Sequence, residues 1–367
     1  MSTLNVNRIV DASGGVFAPV SSVMRNRIIN GDCRIDQRNA GASGTANGYT
    51  TDRWSYFGTQ SSKLTWQQNA GSVTPPAGFT RYLGFTSSSA YSVVAGDIFA
   101  VFQRIEGLNV ADLGWGTANA KTVTLSAWVR SSLTGTFGGS LMNGSSNRAY
   151  PFTFTIASAN TWTQISVTIA GDTSGTWATD NSSGLQVIFN LGSGSTFTGT
   201  AGSWSANNFY SATGSTNLIA TNGATFYITG VQLEVGTQAT SFEYRQYQQE
   251  LALCQRYYNR WSGANSPYIG LAQAVATGSN APVARRFSWA NPVDFRTSPT
   301  MGFGGTIQIY TAGLSNLAFT GFNGSQSNKN IISFDANSTS SGTSGQSVML
   351  IIDSNSASNF IDASAEL

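Results

Sequence analysis

The stretches Val123-Thr124-Leu125-Ser126-Ala127-Trp128-Val129-Arg130 and Thr163-Gln164-Ile165-Ser166-Val167-Thr168-Ile169 decide how this chain folds. In the second, Ile165, Val167 and Ile169 fall on one side of an extended backbone and Gln164, Ser166 and Thr168 on the other. That period of two marks a half-solvated antiparallel strand. In the first, the odd positions together with Trp128 offer an apolar face, which assigns Trp128 to the core. Further short runs of the same kind lie at Arg53–Phe57, Leu64–Gln68, Tyr82–Phe85, Ile98–Ile105, Phe152–Ile156, Leu185–Asn190 and Ala224–Val235, intervals that suit a β-sandwich. Within the last run the alternation changes phase from Phe226 and Ile228 to Val231, Leu233 and Val235. This predicts a bulge or bend at Gly230.

Composition agrees with short strands separated by polar turns: the 367 residues include 40 Gly, 21 Phe, 13 Tyr and 9 Trp. At about 150 residues per domain the length allows two or three domains. Lys and Arg number 19 against 17 Asp and Glu, and the net charge of +2 is too small for a phosphate-binding surface, so no nucleic-acid partner is expected. There is no histidine and there are only two cysteines, Cys33 and Cys254, which removes the parts of the usual triads, zinc sites and haem ligand sets. Both cysteines are expected to be reduced. No run reaches the roughly 20 apolar residues of a membrane span, and Met1–Ile9 lacks the apolar centre of a secretory signal, so membrane insertion is not expected.

The domain reading follows the chain. Residues 1–23 are too short to bury a core and form an arm; 24–246 are the sandwich. Tyr247 to Trp261 carries a helical stripe, with Tyr247, Leu251, Cys254 and Tyr258 spaced four, three and four, and 247–266 is assigned as a connector helix and linker. Residues 267–367 form a smaller C-terminal β domain, with strands at Tyr268–Gln273, Ala284–Trp289, Gly305–Tyr310, Asn316–Phe319, Asn330–Phe334 and Ser347–Asp353. Asn323-Gly324 and Ser341–Gly345 are expected at exposed hairpin ends. The fold class is all-β.

No carboxylate pair declares itself as glycosidase machinery. Asp32, Asp36 and Asp52 lie near Arg34, Arg38 and Arg53 and are expected to be ion pairs or turn caps, while Asp97 and Glu106 bracket an apolar strand. No catalytic residue or metal ligand is assigned. Asp172, Asp180 and Asn181 are the candidates for a structural calcium, although the regular ligand spacing is absent. Trp115, Trp177 and Trp204 fall in Gly-rich or Ser-rich segments and are the candidate exposed glycan contacts.

Two segments carry a resemblance. The first is Arg27-Ile28-Ile29-Asn30-Gly31-Asp32-Cys33-Arg34-Ile35-Asp36-Gln37-Arg38 with Tyr49-Thr50-Thr51-Asp52-Arg53-Trp54. The second is Phe226-Tyr227-Ile228-Thr229-Gly230-Val231-Gln232-Leu233-Glu234-Val235-Gly236, followed by Ala239–Arg245 and Glu250–Tyr258. Together with Pro292–Thr300, they resemble bacteriophage tail fibre and related virion proteins that contain a jelly-roll domain similar to carbohydrate-binding modules. The resemblance implies a jelly-roll sandwich with Trp54, Val231 and Leu233 in its core. It puts Phe242, Tyr244, Cys254 and Tyr258 at a seam between domains. It also implies a homotrimer on a phage tail or capsid surface, with the arm bound to other virion proteins and residues 267–367 directed at host-surface glycan. A capsid or tail decoration protein and a glycan depolymerase are the alternatives.

Overall fold

The structure, a computed structural model, describes residues 9–10, 16–17, 24–263, 268–311, 316–353 and 356–367. Within residues 1–23, expected to be an arm, Ile9–Val10 pairs antiparallel with Val16–Phe17; the others lie outside the described residues. The chain divides into two compact units, Met1–Gln246 and Tyr247–Leu367.

The first unit is a sandwich of jelly-roll type. One sheet runs, in spatial order, Ala149–Ile156, Gly135–Asn143, Ser183–Ser193, Ile98–Glu106, Trp54–Gly58 and Gly48–Thr51. The other runs Thr163–Ile169, Val123–Ser131, Thr225–Val235, Leu83–Ser87 and Leu64–Gln68. Both are antiparallel throughout. Alternation sets which side chains meet between them: Val123, Leu125, Ala127 and Val129 are buried against Phe85, Phe137, Phe189 and Phe226. Trp54, Val231 and Leu233 are core residues as expected. Trp128 is not. It lies between inward-facing Ala127 and Val129, so the pleat turns it to the outer face, where it is half-buried.

Two strands escape the sequence patterns. Gly48–Thr51 and Gly135–Asn143 are sandwich strands outside the predicted runs. In the sheet the glycines of the second meet close neighbours: a Cβ on Gly139 would strike the Ile188 carbonyl and the Phe152 ring, and one on Gly138 the hydroxyls of Ser211 and Ser215. The outer face of this sheet is itself covered, since Ile98, Phe102, Met142 and Ile188 pack beneath Phe197, Phe209 and Tyr210.

The bulge predicted at Gly230 is present. Thr229 pairs with Trp128 and Gln232 with Ser126, so Gly230 and Val231 together face Ala127. Gly230 has φ +61°, and a Cβ there would lie 2.6 Å from Phe79. Past the bulge the strand takes a new neighbour on its other edge. Val231 N–H donates to Gly31 O (2.9 Å), Asn26 Nδ2 donates to Val231 O (3.1 Å), and Arg27 N–H donates to Leu233 O (2.9 Å).

The second unit begins with the helix Tyr247–Gln255, shorter than the predicted 247–261. Tyr247 is exposed, and Tyr258 belongs instead to the strand Tyr258–Ser262, which pairs with Phe360–Ser364. The helical spacing of Tyr258 is overridden because Tyr-Asn-Arg-Trp is extended against an alternating partner. Phe360–Ser364 also pairs with Thr300–Gly304, completing a three-stranded sheet. The remaining six strands close a barrel in the order Tyr268–Ala276, Ala284–Ala290, Ile331–Ser338, Leu317–Ser325, Ile307–Thr311 and Ser347–Asp353. Phe287, Ile309, Phe319, Phe334 and Leu350 fill it. Asn323-Gly324 is not a hairpin end: it forms a bulge inside Leu317–Ser325, with Gly324 at φ +62°. Residues 339–346, which hold Ser341–Gly345, join two strands that are not neighbours in the barrel.

Replacing Gly230 by Ala forces a side chain into the left-handed region and against Phe79. Gly230→Ala is expected to destabilise the first unit by about 1–3 kcal/mol, read from denaturant unfolding. An unchanged midpoint would overturn this account of the bulge.

Candidate functional site

An open groove of about 370 Å³ lies on the outer face of the five-stranded sheet. Its aromatic lining is Trp128, Phe79, Phe242 and Tyr244, and its polar lining is Ser126, Gln164, Thr240 and Ser241. The strands set this arrangement. Trp128 and Gln164 sit directly opposite each other across the Val123–Ser131 and Thr163–Ile169 ladder, and the absent side chain of Gly230 leaves room for Phe79 beside Trp128. Phe242 packs edge-on against Phe79 (5.2 Å) and Tyr244 (6.3 Å). Tyr244 is 53% exposed, with the Arg34 guanidinium 4.7 Å from its ring centroid.

The tryptophans of this unit differ in what their indole N–H does. Those of Trp54, Trp66, Trp115, Trp162, Trp177 and Trp204 all donate to backbone carbonyls. Trp128 N–H has no hydrogen-bond partner among the described residues, and neither do the Gln164 amide and the Ser126 hydroxyl. The groove therefore presents an aromatic face beside uncommitted neutral donors and acceptors. Nearby charges are engaged elsewhere. Arg34 pairs with Asp32 (3.1 Å), Arg130 donates to Asn160 O (2.9 Å), and Glu234 accepts from the Thr240 N–H (2.8 Å) and hydroxyl (2.7 Å).

Trp115, Trp177 and Trp204 come together as one edge-to-face cluster, with centroids 4.7, 5.2 and 5.4 Å apart. Trp115, expected at the surface, is instead only 7% exposed and part of the core; the Gly-rich loop around it folds inward. Trp177 and Trp204 are half-buried against that core. Beside Trp115 and Trp177 lies a small, largely apolar pocket of about 180 Å³.

Of the seam residues, Phe242 and Tyr244 belong to the first unit and line the groove, while Cys254 and Tyr258 are buried in the second. Of the calcium candidates, Asp172 forms a two-pronged pair with Arg148 (2.6 and 2.8 Å), and Asp180 accepts from the Ser182 N–H and hydroxyl. Asp36 accepts the N–H groups of Asn39 and Gly41, and Asp52 those of Gln37. Burial pushes both carboxyls above the ordinary range. Asp97 is the reverse case. Burial works to raise its carboxyl, but hydrogen bonds from Val94 N–H, Thr59, Tyr91 and Gln60 outweigh it and hold the group below the usual value. The signal in the sequence for the outward position of Trp128 is its strict alternation with Ala127 and Val129.

No protein-family model matches the chain, and no curated protein is significantly similar to it. Among solved structures, it is similar to the enzymatically active domain of tailspike protein 4 of bacteriophage CBA120, at 11% identity and a TM-score of 0.30 over 58% of this chain. It spans only 22% of that protein's length. It is also similar to a family 11 carbohydrate-binding module from Clostridium thermocellum, solved with a β-1,3-1,4-mixed-linked tetrasaccharide. Here the identity is 12% and the TM-score 0.28, over 56% of this chain and 99% of that one. A Clostridium thermocellum endo-1,4-β-D-xylanase solved with xylohexaose gives 15%, 0.27, 58% and 30% for the same quantities. Likenesses of this extent say nothing of what this chain binds.

Two substitutions separate scaffold from surface. Trp115→Ala is expected to cost about 3–5 kcal/mol in denaturant unfolding, as for a large core aromatic; a cost under about 1 kcal/mol would remove Trp115 from the core. Asp97→Asn is expected to cost about 1–3 kcal/mol at neutral pH. Because the folded-state carboxyl is depressed, that stabilisation is present above the unfolded value near 4 and lost as the pH falls through the folded one. The gap between wild type and Asp97→Asn should thus close in acid, and a gap independent of pH would contradict the assignment.

Proposed function

We propose that this protein recognises glycan through the Trp128 groove and does so as a short tail fibre or receptor-binding fibre of a phage virion. The observation that carries the glycan reading is Trp128 itself, an indole turned to the groove with its N–H uncommitted and the Gln164 amide directly opposite. A pyranose ring offers an apolar C–H face and a rim of hydroxyls. The first suits the indole and the neighbouring Phe79, Phe242 and Tyr244; the second suits the free amide and hydroxyls. The opposite sheet's outer face is occupied by the Phe197, Phe209 and Tyr210 cover, which directs recognition to this side of the sandwich.

The virion reading rests on the resemblance of segments 27–54 and 226–258 to phage fibre proteins, and with it come a homotrimer and attachment to other virion proteins through the arm. A shallow groove gives weak binding at one site, and several copies on one particle strengthen it because the second contact forms at high effective concentration. The residues lining the groove include no carboxylate, which favours binding over glycan hydrolysis.

The purified chain, applied to a glycan array, is expected to retain a defined set of oligosaccharides. Trp128→Ala is expected to weaken that retention by about tenfold or more with unfolding unchanged. Retention unaffected by Trp128→Ala would overturn the assignment of the groove.

A further inference from the structure

On the outer wall of the barrel in the second unit, Tyr310 pairs with Met349 across one ladder, and Met349 pairs with Gln273 across the next. Successive strands of a sheet bring directly opposed residues to the same face, so phenol, thioether and amide form one row across three strands. Tyr310 is 48% exposed and Gln273 is exposed. With Ser347 and Val348 the row lines a depression of about 190 Å³. Gly270 helps to shape it: a Cβ there would lie 2.7 Å from the Met349 sulfur, so the missing side chain lets the thioether settle as a floor. Among the described residues, the Tyr310 hydroxyl, the Gln273 amide and the Ser347 hydroxyl have no hydrogen-bond partner.

A comparable set occurs in the first unit's groove, where the Trp128 indole stands opposite the Gln164 amide beside the Ser126 hydroxyl. Two sheets thus each present an outward-facing aromatic ring, a glutamine amide from another strand and a serine hydroxyl, with no charged residue in the lining. We propose that the barrel carries a second sugar site, in which one neutral pyranose ring lies over Met349 against Tyr310 and hydrogen-bonds to Gln273 and Ser347. The volume is below the roughly 300 Å³ at which pockets for larger ligands begin, and it fits a single ring. The inference rests on the glycan reading for its ligand class, and it makes each chain bivalent.

The test uses the full chain. The best-retained oligosaccharide of the glycan array is titrated calorimetrically into wild type, Tyr310→Ala, Gln273→Ala, Trp128→Ala and the Tyr310→Ala/Trp128→Ala double variant, with sedimentation run on each. Tyr310 points away from the barrel filling of Ile309 and Leu350, so its truncation leaves that core intact. The expected result is two equivalents bound per chain in wild type, one in each single variant and none in the double. Retention on immobilised glycan should fall about tenfold or more in every single variant. If Tyr310→Ala and Gln273→Ala leave stoichiometry and retention unchanged while Trp128→Ala abolishes both, the second site is overturned and the groove stands. If Tyr310→Ala alone removes binding and Trp128→Ala does not, the groove is overturned and the barrel site stands. Loss of a self-associated species in Tyr310→Ala, with glycan stoichiometry unaltered, would make this wall a contact between copies and overturn the proposal.

Discussion

The backbone of Val231, displaced from its ladder by one extra residue, is what closes the first unit. Its N–H and C=O are taken by Gly31 and Asn26. The Asn26 side chain then accepts from Leu233 N–H (3.1 Å) and Ile28 N–H (2.9 Å), so a single amide serves both strands it joins. From there the leading segment reaches the opposite sheet. Gln103 exchanges two hydrogen bonds with the Ile29 backbone (2.8 and 2.9 Å), a side chain standing in for a strand partner. Glu243 accepts the N–H groups of Arg25 and Asn26, and Arg245 donates to the carbonyls of Asn26 and Ile28. Buried bonds of this kind contribute modestly when made and cost heavily when one partner is lost, so the beginning and the end of the unit are held as a set. The same bulge opens the space that Phe79 shares with Trp128, which ties the groove's shape to the closure of the fold.

Much of this architecture is legible in the residues, and the exceptions are physical. Leu64–Gln68 and Thr163–Ile169 are where alternation places them, because each has one face to bury and one to leave wet. The phase change around Gly230 could be read directly, since a bulge must move the apolar set by one position. Gly135–Asn143 could not, because the reason for its glycines is the approach of Phe152 and Ser211, residues from elsewhere in the chain. The helix was overextended through Tyr258 for a similar reason: its strand partner, Phe360–Ser364, is remote in sequence.

The candidate site was less legible than the fold. Tryptophans in Gly-rich loops suggest exposure, yet Trp115, Trp177 and Trp204 find one another and donate their N–H groups to the carbonyls of Lys121, Ser174 and Ala170. A tryptophan inside a strand pattern suggests the core, yet Trp128 takes the outer side of its pleat. Strict alternation with Ala127 and Val129 marks the outward side for Trp128, whereas the inward turn of the Trp115 loop follows from ring contacts with Trp177 and Trp204 that no spacing encodes. Phe242 and Tyr244 were singled out by resemblance, and their position on the groove rim follows from the path that Glu243 and Arg245 impose on the segment between them.

The middle strand of the three-stranded sheet, Phe360–Ser364, sets the order of assembly in the second unit. Both of its neighbours, Tyr258–Ser262 and Thr300–Gly304, are synthesised well before it, and the Tyr258 hydroxyl waits for an acceptor 104 positions later in Asp362. Ala365 N–H then bonds Tyr257 O (2.7 Å), and Arg296 reaches the carbonyl of Ala365. Contacts of such long range delay folding until their last participant exists. Tyr258–Ser262 and Thr300–Gly304 do not pair with each other, so without Phe360–Ser364 each would present an edge with no ladder partner. One strand thus covers two edges at once, pairing on both of its sides.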